Sequence, residues 1–329
     1  MTDDVLHLSR DQVAGLLDTD AAIRSQRAAF TALGDGTAEL PAKIMHPSGL
    51  DDSVVFAYLA RLSADTGAVA KFGSVNPGNA AGGLPTVHAV INALDPDTGR
   101  LVAVMDGTVV TTLRTAAASA VALDALATPD SAELGLLGSG TQALAHARSV
   151  ARVRDLRAVR LWSPTPDRRD RAARLLAAEL AIGVEAVDSP EEAVAGLPMV
   201  AACTLSRTPV VRGEWLAPGT TVVSVGSFEP SRSEVDPEVV RRAAAVVVDD
   251  PATAAGHAGP VVDALRSGTL THDDLIPLGA VLTGRRAART SARDIVYYNS
   301  VGLGVQDAAA AWAVIDAARE RARGGEPRP

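Results

Sequence analysis

The sequence is poor in cysteine, in aromatic residues and in positive charge, and each shortage excludes a class of protein. Cys203 is the one cysteine among 329 residues, which excludes a disulfide framework and fits a reducing compartment. Aromatic residues make up 3%, too few for the base-stacking surfaces of nucleic-acid-binding proteins. The formal net charge of −8 opposes attraction to DNA or to anionic membranes. We therefore expect neither a nucleic-acid partner nor a membrane partner.

Long apolar runs and targeting patterns are lacking as well. No apolar run approaches the roughly 20 residues of a membrane span, and the N-terminal stretch MTDDVLHLSRDQ lacks a signal-peptide pattern. These observations predict a cytoplasmic protein. No set of histidine, cysteine and acidic residues has the spacing of metal ligands, so we predict no metal site.

The chain changes character near residue 114, and its length predicts two domains. Before this point, residues 9–34 predict two helices capped by Ser9 or Asp11 and by Asp18 to Asp20. SVVFAYLARL and GAVAKFGSV predict strands, and VHAVINALDPDTGRLVAVMDG predicts a β-hairpin. This first part is therefore α+β with mainly antiparallel strands.

After residue 114, small-residue helices alternate with short apolar strands such as AVRLWS, MVAACT, TTVVSVGS and AAAVVVDD. This alternation predicts an α/β doubly wound parallel sheet of the Rossmann type. SVGLGVQDAAAAWAVIDAARERAR predicts one long final helix, and we expect GGEPRP after it to be frayed. We assign residues 1–113 plus 301–329 to one domain and residues 114–300 to the Rossmann domain.

A dinucleotide-binding motif, G-x-G-x-x-A, lies between a predicted strand at Leu134–Leu137 and a predicted helix. It consists of Gly138, Ser139, Gly140, Thr141, Gln142 and Ala143. The first glycine allows a tight turn, the second lets a pyrophosphate approach the backbone, and the alanine lets the helix pack on the sheet. The free N–H groups at the helix N-terminus favour bound phosphate. The motif therefore predicts an NAD or NADP site.

The end of the second strand, LWSPTPDRRDR, bears on the choice of coenzyme. An acidic residue normally binds the adenosine ribose of NAD here, but this chain has Ser163 and Thr165, followed by Arg168 and Arg169. Hydroxyls and nearby arginines favour a 2′-phosphate and hence NADP over NAD. The alternative is that both arginines belong to a solvated helix face.

Residues 71–88, KFGSVNPGNAAGGLPTVH, predict a shaped loop because glycine and asparagine adopt backbone conformations that other residues avoid. Such a loop either holds a ligand or merely connects two strands. Its lysine, Lys71, is either a functional cation or an ordinary solvated side chain.

Six motifs in order resemble the ornithine cyclodeaminase and mu-crystallin family: KFGSVNPGN, GLPT, DPDTG, MDGTVVTTLRTAAAS, GSGTQA and SVGLGVQDAAAAW. The resemblance covers nearly the whole chain. It implies a homodimer in which the N-terminal part and the last helix form a substrate-binding and dimerisation domain around a central Rossmann domain.

The resemblance also implies roles for particular residues. It places Lys71 in the active site and makes Lys43 and Arg114 ligands of a substrate carboxylate, with Thr86 and Asn79 nearby. Further coenzyme neighbours by resemblance are Cys203, Thr204, Ser206, Val225, Gly226, Ser227, Ser300, Val301 and Gly302. Judged from the sequence alone, Arg114 could instead form a helix-start ion pair with Asp106 or another acid.

One residue departs from the family pattern. Cyclodeaminases and archaeal alanine dehydrogenases of the family carry an aspartate two residues after the glycine of the V-G motif, and here VGSFEPSRSEVD has Phe228. Glu229 is adjacent but shifted by one residue. Without that aspartate, the resemblance favours the ketimine reductases of the family, which also lack it.

We therefore predict an enzyme that reduces a small 2-imino acid with NADPH or NADH, such as pyrroline-2-carboxylate, piperideine-2-carboxylate or iminosuccinate. Lys43, Lys71 and Arg114 clamp the carboxylate, and Lys71 donates a proton because arginine stays charged. One alternative is an NAD-dependent ornithine cyclodeaminase or alanine dehydrogenase. Another is a crystallin-like protein that binds NADP without turnover.

Overall fold

The computed structural model describes residues 5–324 and separates into two compact units. Unit 1 comprises Met1–Arg114 and Leu303–Pro329, and unit 2 comprises Thr115–Gly302. The chain passes from unit 1 to unit 2 after Arg114 and returns after Gly302. These boundaries lie one and two residues later than the predicted ones, which followed residues 113 and 300. The terminal segment that we expected to fray falls mainly outside the described residues, which end at Gly324.

Unit 1 contains a six-stranded sheet with the strand order β1-β6-β5-β4-β3-β2. Its strands are β1 (Leu6–Leu8), β2 (Ile44–Pro47), β3 (Val54–Ala60), β4 (Val69–Val75), β5 (Val87–Leu94) and β6 (Leu101–Asp106). Neighbours are antiparallel except β1, which pairs with β6 in parallel. The β5–β6 hairpin was predicted. The short strands β1 and β2 at the two edges were not.

Three helices of unit 1 have sequence-encoded ends or faces. They are α1 (Arg10–Leu16), α2 (Thr19–Asp35) and the last helix of the chain, α11 (Gly304–Gly324). Ser9 and Asp18 cap α1 and α2 as predicted, each accepting a hydrogen bond from a first-turn N–H group. Gly36 ends α2 with φ +73°, in the left-handed region that suits glycine.

Helix α11 packs against α2 on one side and against β3, β4 and β5 on the other. Its buried face is rich in alanine, so its backbone comes close to the sheet. At Gly304 a Cβ would lie 2.5 Å from the carbonyl oxygen of Leu59, a distance that leaves no room for a side chain. This close approach fixes the first turn of α11 over the end of β3 and the beginning of β4.

The two faces of the unit 1 sheet differ in exposure because side chains alternate along each strand. Phe56, Tyr58 and Lys71 belong to the face that is covered and buried. On the opposite face, Leu59 and Phe72 are 51% and 60% exposed. The covered face holds the core of unit 1, and the other face leaves apolar surface open.

Unit 2 contains an eight-stranded sheet in which every neighbouring pair is parallel, in the order β13-β12-β14-β11-β10-β7-β8-β9. Its strands are β7 (Glu133–Leu137), β8 (Ala158–Trp162), β9 (Gly183–Ala186), β10 (Met199–Ala202), β11 (Thr221–Ser224), β12 (Ala243–Val248), β13 (Leu275–Pro277) and β14 (Ile295–Asn299). This topology confirms the predicted Rossmann-type sheet. The structural fold class is therefore α/β, as the sequence indicated.

The helices between these strands follow the predicted alternation. They are α4 (Thr141–Val153), α5 (Pro166–Leu180), α6 (Pro190–Val194), α7 (Pro237–Arg242), α8 (Pro251–His257), α9 (Gly259–Ser267) and α10 (Leu278–Leu282). Several begin with proline at the first helical position, where its missing N–H costs nothing and its fixed φ suits the helix.

Helix α3 (Gly107–Leu126) begins earlier than the residues we expected to be helical. Asp106 starts it by accepting hydrogen bonds from the N–H groups of Thr108 and Val109. By length and composition α3 is apolar enough to cross a membrane, so the expectation that no apolar run reaches this length was wrong. Within the protein 61% of its apolar window is buried, as is typical of a core helix.

Candidate functional site

Lys71 lies in the middle of strand β4 and not in a loop. It pairs with Tyr58 of β3 and with Ile91 of β5, and it is 2% exposed. The prediction that GAVAKFGSV forms a strand is confirmed for Val69–Val75. The expectation that residues 71–88 form one loop was wrong at both ends, because Lys71–Val75 belong to β4 and Val87 and His88 belong to β5. The irregular segment begins at Asn76. A lysine in the middle of a covered sheet needs a specific partner, since burying an ammonium group alone is very costly.

That partner is Asp307, in the first turn of α11. Its Oδ2 lies 2.7 Å from Nζ of Lys71, and its Oδ1 accepts a hydrogen bond of 3.1 Å from Nε of Arg114. All three side chains are almost completely buried. Arg114 therefore pairs with an acid other than Asp106. Asp307 belongs to the motif SVGLGVQDAAAAW, but no role was predicted for it.

Two further residues complete this group, which we name the Lys71 cluster: Lys43, Tyr58, Lys71, Arg114 and Asp307. The ring centroid of Tyr58 lies 4.5 Å from Nζ of Lys71 and 5.5 Å from Nζ of Lys43. The aromatic ring thus attracts both ammonium groups. With three cations and one carboxylate, the cluster has an excess of positive charge that suits an anionic ligand.

The environment of Lys71 changes its acidity. Burial lowers its pKa, Asp307 raises it, and Arg114 and Lys43 lower it again, so that the pKa falls to about 7. Half of the Lys71 side chains are then protonated near neutral pH. A lysine with such a pKa can both give and accept a proton under ordinary conditions.

Asn79 and Thr86, which the family resemblance places near a ligand, shape the irregular segment between β4 and β5. Nδ2 of Asn79 donates a hydrogen bond of 2.9 Å to the carbonyl of Pro85, and the carbonyl of Thr86 accepts one of 2.7 Å from the N–H of Asn76. These contacts are within the segment. A role of either side chain toward a ligand stays a prediction.

In unit 2, the glycine motif has the geometry that a dinucleotide requires. Gly138 has φ +117°, and a Cβ there would lie 2.6 Å from the carbonyl oxygen of Cys203. Gly140 is the N-cap of α4, makes no side-chain cap, and has no atom within 4 Å of the position of a Cβ. Ala143 is fully buried against the sheet. The first glycine is thus fixed by the protein, while the second faces open space.

The position of this turn in the sheet is also the expected one. From β7 the chain continues through β8 and β9 on one side, and through β10 and β11 on the other. Ligands of such sheets bind at the carboxyl ends of the strands where the order reverses. The uncapped N-terminus of α4 lies at that point and offers N–H groups and a positive dipole end to a phosphate. The residues present therefore fit a dinucleotide.

At the end of β8 the two predicted arginines differ. Arg169 is buried and lies 2.6 Å from Oδ1 of Asp188, whereas Arg168 is exposed. Ser163 is buried and Thr165 is the exposed N-cap of α5. Of these four residues, Arg168 and Thr165 are therefore the exposed ones, while the Arg169 guanidinium is engaged by Asp188.

The remaining predicted coenzyme residues lie on loops held by two buried carboxylates that the sequence analysis missed. Glu234 accepts hydrogen bonds from the N–H groups of Thr204 and Gly226, and Asp249 accepts them from those of Val301 and Gly302. Burial raises the pKa of Asp249 above its usual range. Asp249 directly follows the apolar run of β12, and this position at the carboxyl end of a strand could have indicated a role near a ligand. Glu234 has no comparable signal in the sequence, because its partners lie up to 30 residues away.

Cys203, Val225 and Ser227 occupy the same edge of the sheet. Cys203 follows β10, and its thiol pKa is raised by burial and by the nearby charge of Glu234, which makes it a poor nucleophile. Ser227 Oγ accepts a hydrogen bond of 2.9 Å from the N–H of Glu234. Within residues 5–324, no three metal-ligating side chains cluster.

A known protein family and several known proteins match nearly the whole chain. The model of the ornithine cyclodeaminase/mu-crystallin family matches residues 4–322. The alanine dehydrogenase of Archaeoglobus fulgidus is 33% identical over 95% of both chains. The iminosuccinate reductase of Paracoccus denitrificans is 29% identical over 96% of this chain and 98% of its own.

Solved structures of similar proteins match the fold over nearly the whole chain. The Thermococcus litoralis Δ1-pyrroline-2-carboxylate reductase, in complex with NADH and L-proline, has a TM-score of 0.93 at 30% identity, covering 97% of this chain and 98% of its own. An archaeal alanine dehydrogenase dimer with bound NAD has a TM-score of 0.89 at 32% identity, covering 97% of both chains.

The parallel sheet, the glycine turn and the uncapped helix define a dinucleotide-binding protein of the Rossmann type. Together with the match over nearly its whole length, they show that this chain belongs to the ornithine cyclodeaminase/mu-crystallin family. The relatives compared above are dehydrogenases and reductases, so the chain belongs among oxidoreductases.

The open space at Gly140 gives a test of the dinucleotide site. We expect Gly140→Ala to leave the thermal unfolding midpoint nearly unchanged and to raise the Kd for NADH about tenfold or more, because its methyl group occupies the space a pyrophosphate needs. Isothermal titration and thermal unfolding measure the two quantities. Gly256→Ala is the matched control, since Gly256 of α8 also has no atom within 4 Å of a Cβ. An unchanged Kd in Gly140→Ala would refute this site.

Proposed function

We propose that this protein reduces a small 2-imino acid to the corresponding amino acid with NADPH or NADH. The observation that carries the proposal is the buried Lys71, held by Asp307 and surrounded by two other cations. The names of the relatives support this kind of reaction, since iminosuccinate and pyrroline-2-carboxylate are both 2-imino acids.

The chain's own residues would do three things. Arg114 and Lys43 supply positive charge for the substrate carboxylate, which fixes the orientation of the adjacent C=N bond. Lys71 gives its proton to the imine nitrogen, which arginine cannot do at any ordinary pH. Asp307 holds Lys71 in place and favours its protonated form. The bound coenzyme supplies the hydride.

The region around Phe228 supports a reductase over a cyclodeaminase. The guanidinium of Arg232 lies 5.5 Å from the Phe228 ring centroid and its Nε lies 3.3 Å from Oε2 of Glu229. Glu229 is therefore engaged in an ion pair and does not replace the missing aspartate as a base. Ornithine cyclodeamination needs such a base to take a proton from the amino group.

A second candidate is amino-acid oxidation with NAD, favoured by the similarity to the Archaeoglobus alanine dehydrogenase over 95% of both chains. The same lysine would then act in its neutral form and accept a proton. The two candidates have opposite pH dependence, because reduction needs protonated Lys71 and oxidation needs the neutral form.

The first test is turnover by Lys71 variants. With pyrroline-2-carboxylate, piperideine-2-carboxylate or iminosuccinate and either reduced coenzyme, we expect Lys71→Arg to lower kcat by about 10²–10⁴-fold, because arginine keeps the charge but cannot donate a proton. Coenzyme absorbance measures the rate. Normal turnover in Lys71→Arg would remove Lys71 from the mechanism, and tight coenzyme binding without turnover by the wild type would favour the non-catalytic alternative.

The pH dependence of kcat/KM tests the assignment of Lys71 as the proton donor. Because the pKa of Lys71 lies at about 7 and its acid form is required, kcat/KM for reduction should be high below pH 7 and fall as pH rises. Asp307→Asn removes a charge that raises this pKa, so the same fall should move to lower pH. A profile that Asp307→Asn leaves in place would contradict the coupling.

We further propose that NADP is preferred, supported by the missing acid at the end of β8 and by exposed Arg168. Arg168→Ala should lower kcat/KM for NADPH about tenfold and leave NADH unaffected, because only NADPH carries the 2′-phosphate. Arg171→Ala, on the exposed side of the same helix, is the control. Equal effects on both coenzymes, or no effect on either, would contradict this preference.

We also propose a homodimer, formed through the exposed face of the unit 1 sheet. Ile44, Val55, Leu59 and Phe72 lie on this face, 63%, 41%, 51% and 60% exposed. Apolar side chains clustered in this way are typical of an interaction surface. The archaeal alanine dehydrogenase dimer supports two copies.

Sedimentation analysis tests the dimer. We expect the wild type at twice the chain mass of 33.7 kDa and Phe72→Asp as a monomer, because a buried unpaired charge opposes association. Leu175→Asp is the control, since Leu175 is 42% exposed in unit 2. A monomeric wild type, or a Phe72→Asp variant that remains dimeric, would refute the proposed surface.

A further inference from the structure

Glu234 is fully buried, and its carboxylate oxygens accept hydrogen bonds from neutral donors. Oε1 accepts from the N–H of Thr204 at 2.6 Å and from its hydroxyl at 2.8 Å. Oε2 accepts from the N–H of Gly226 at 2.6 Å and from the hydroxyl of Ser224 at 2.8 Å. Four donors therefore converge on one carboxylate.

These donors belong to two different loops at the carboxyl edge of the unit 2 sheet. Thr204 follows β10, and Gly226 follows β11, the next strand along. The first loop also packs on the glycine turn, since a Cβ at Gly138 would lie 2.6 Å from the carbonyl oxygen of Cys203. The second approaches the first so closely that a Cβ at Gly226 would lie 1.9 Å from the carbonyl oxygen of Thr204. Glu234 thus ties together the loops after β10 and β11, the first of which packs on the dinucleotide turn.

The charge state of Glu234 decides whether this arrangement holds. In the part of the chain that the structure describes, no lysine or arginine forms an ion pair with it. The titratable groups that face it are the Cys203 thiol and the Tyr297 phenol, whose pKa values are raised mainly by burial and further by the charge of Glu234. Burial raises the pKa of Glu234 itself to about 7. Because all its contacts are donors, a proton on the carboxyl group would take away an acceptor and leave a donor unpaired.

We propose that Glu234 is a positioning residue for the coenzyme: its ionised carboxylate holds the loops after β10 and β11 in the conformation that accepts the dinucleotide. The inference rests on the proposed function only in taking NAD(P) as the ligand. It implies that coenzyme affinity falls when Glu234 is protonated, independently of the chemical step.

The test measures the Kd for NADH, which lacks a titrating 2′-phosphate, between pH 6 and pH 8 without substrate. If only the ionised form binds, the wild-type Kd should rise about tenfold as pH falls over this range. Glu234→Gln should bind NADH at least about tenfold more weakly at pH 8 and show no such pH dependence. Glu179→Gln, at a surface pair with Arg148, is the control and should follow the wild type.

A conservative second variant separates positioning from general stability. Ser224→Ala removes one donor that lowers the pKa of Glu234, so the midpoint of the pH dependence should move to higher pH. This variant and the wild type decide the matter if Glu234→Gln does not fold. A wild-type Kd that is flat with pH, or a Glu234→Gln variant that matches the wild type, overturns the inference. If the wild type does not bind NADH at pH 8, the proposed coenzyme is wrong instead.

Discussion

The ion pair between Lys71 and Asp307 is the contact on which unit 1 depends. Neither charge reaches solvent, and removing one partner of such a buried pair typically costs about 3–5 kcal/mol. The two residues come from a central strand and from the last helix, so the pair also fixes how these elements pack. Arg114 shares the same carboxylate. A single aspartate thus serves the fold and keeps a lysine chemically active, because its attraction limits the fall in pKa that burial and the other cations impose.

Unit 2 also buries charged side chains, but it stabilises two buried carboxylates with hydrogen bonds. Glu234 and Asp249 are buried, are satisfied by N–H and O–H donors, and have no paired cation among residues 5–324. Hydrogen bonds to a charged group are stronger than neutral ones, and several of them offset the cost of desolvation. Each carboxylate holds loops at the carboxyl ends of the strands, where binding residues gather. Rigid loops cost less ordering when a ligand binds.

Local patterns in the sequence were enough for most of the architecture and for the dinucleotide turn. Apolar runs separated by helices predicted the parallel sheet, and G-x-G after a strand predicted the turn at Gly138 because its requirements are local. Strand β14 was missed, although IVYYN is a short, fully buried apolar run. GAVAKFGSV was predicted as a strand and forms β4, but Lys71 was also counted in the glycine-rich loop that follows, because that loop was taken to begin five residues too early. No role was predicted for Asp307, Glu234 or Asp249, because their hydrogen-bond and ion-pair partners are distant in the sequence and are brought together only by folding.

Unit 1 is assembled from both ends of the chain, and this has a consequence for biosynthesis. Unit 2 is one continuous stretch and can fold as soon as it has left the ribosome. The sheet of unit 1 is translated first but lacks the helix that covers its inner face. Until α11 emerges, Lys71 lacks the carboxylate of Asp307 that compensates its charge. Completion of unit 1 therefore waits until α11 has been made, and the interval before it is when the growing polypeptide most needs chaperone protection.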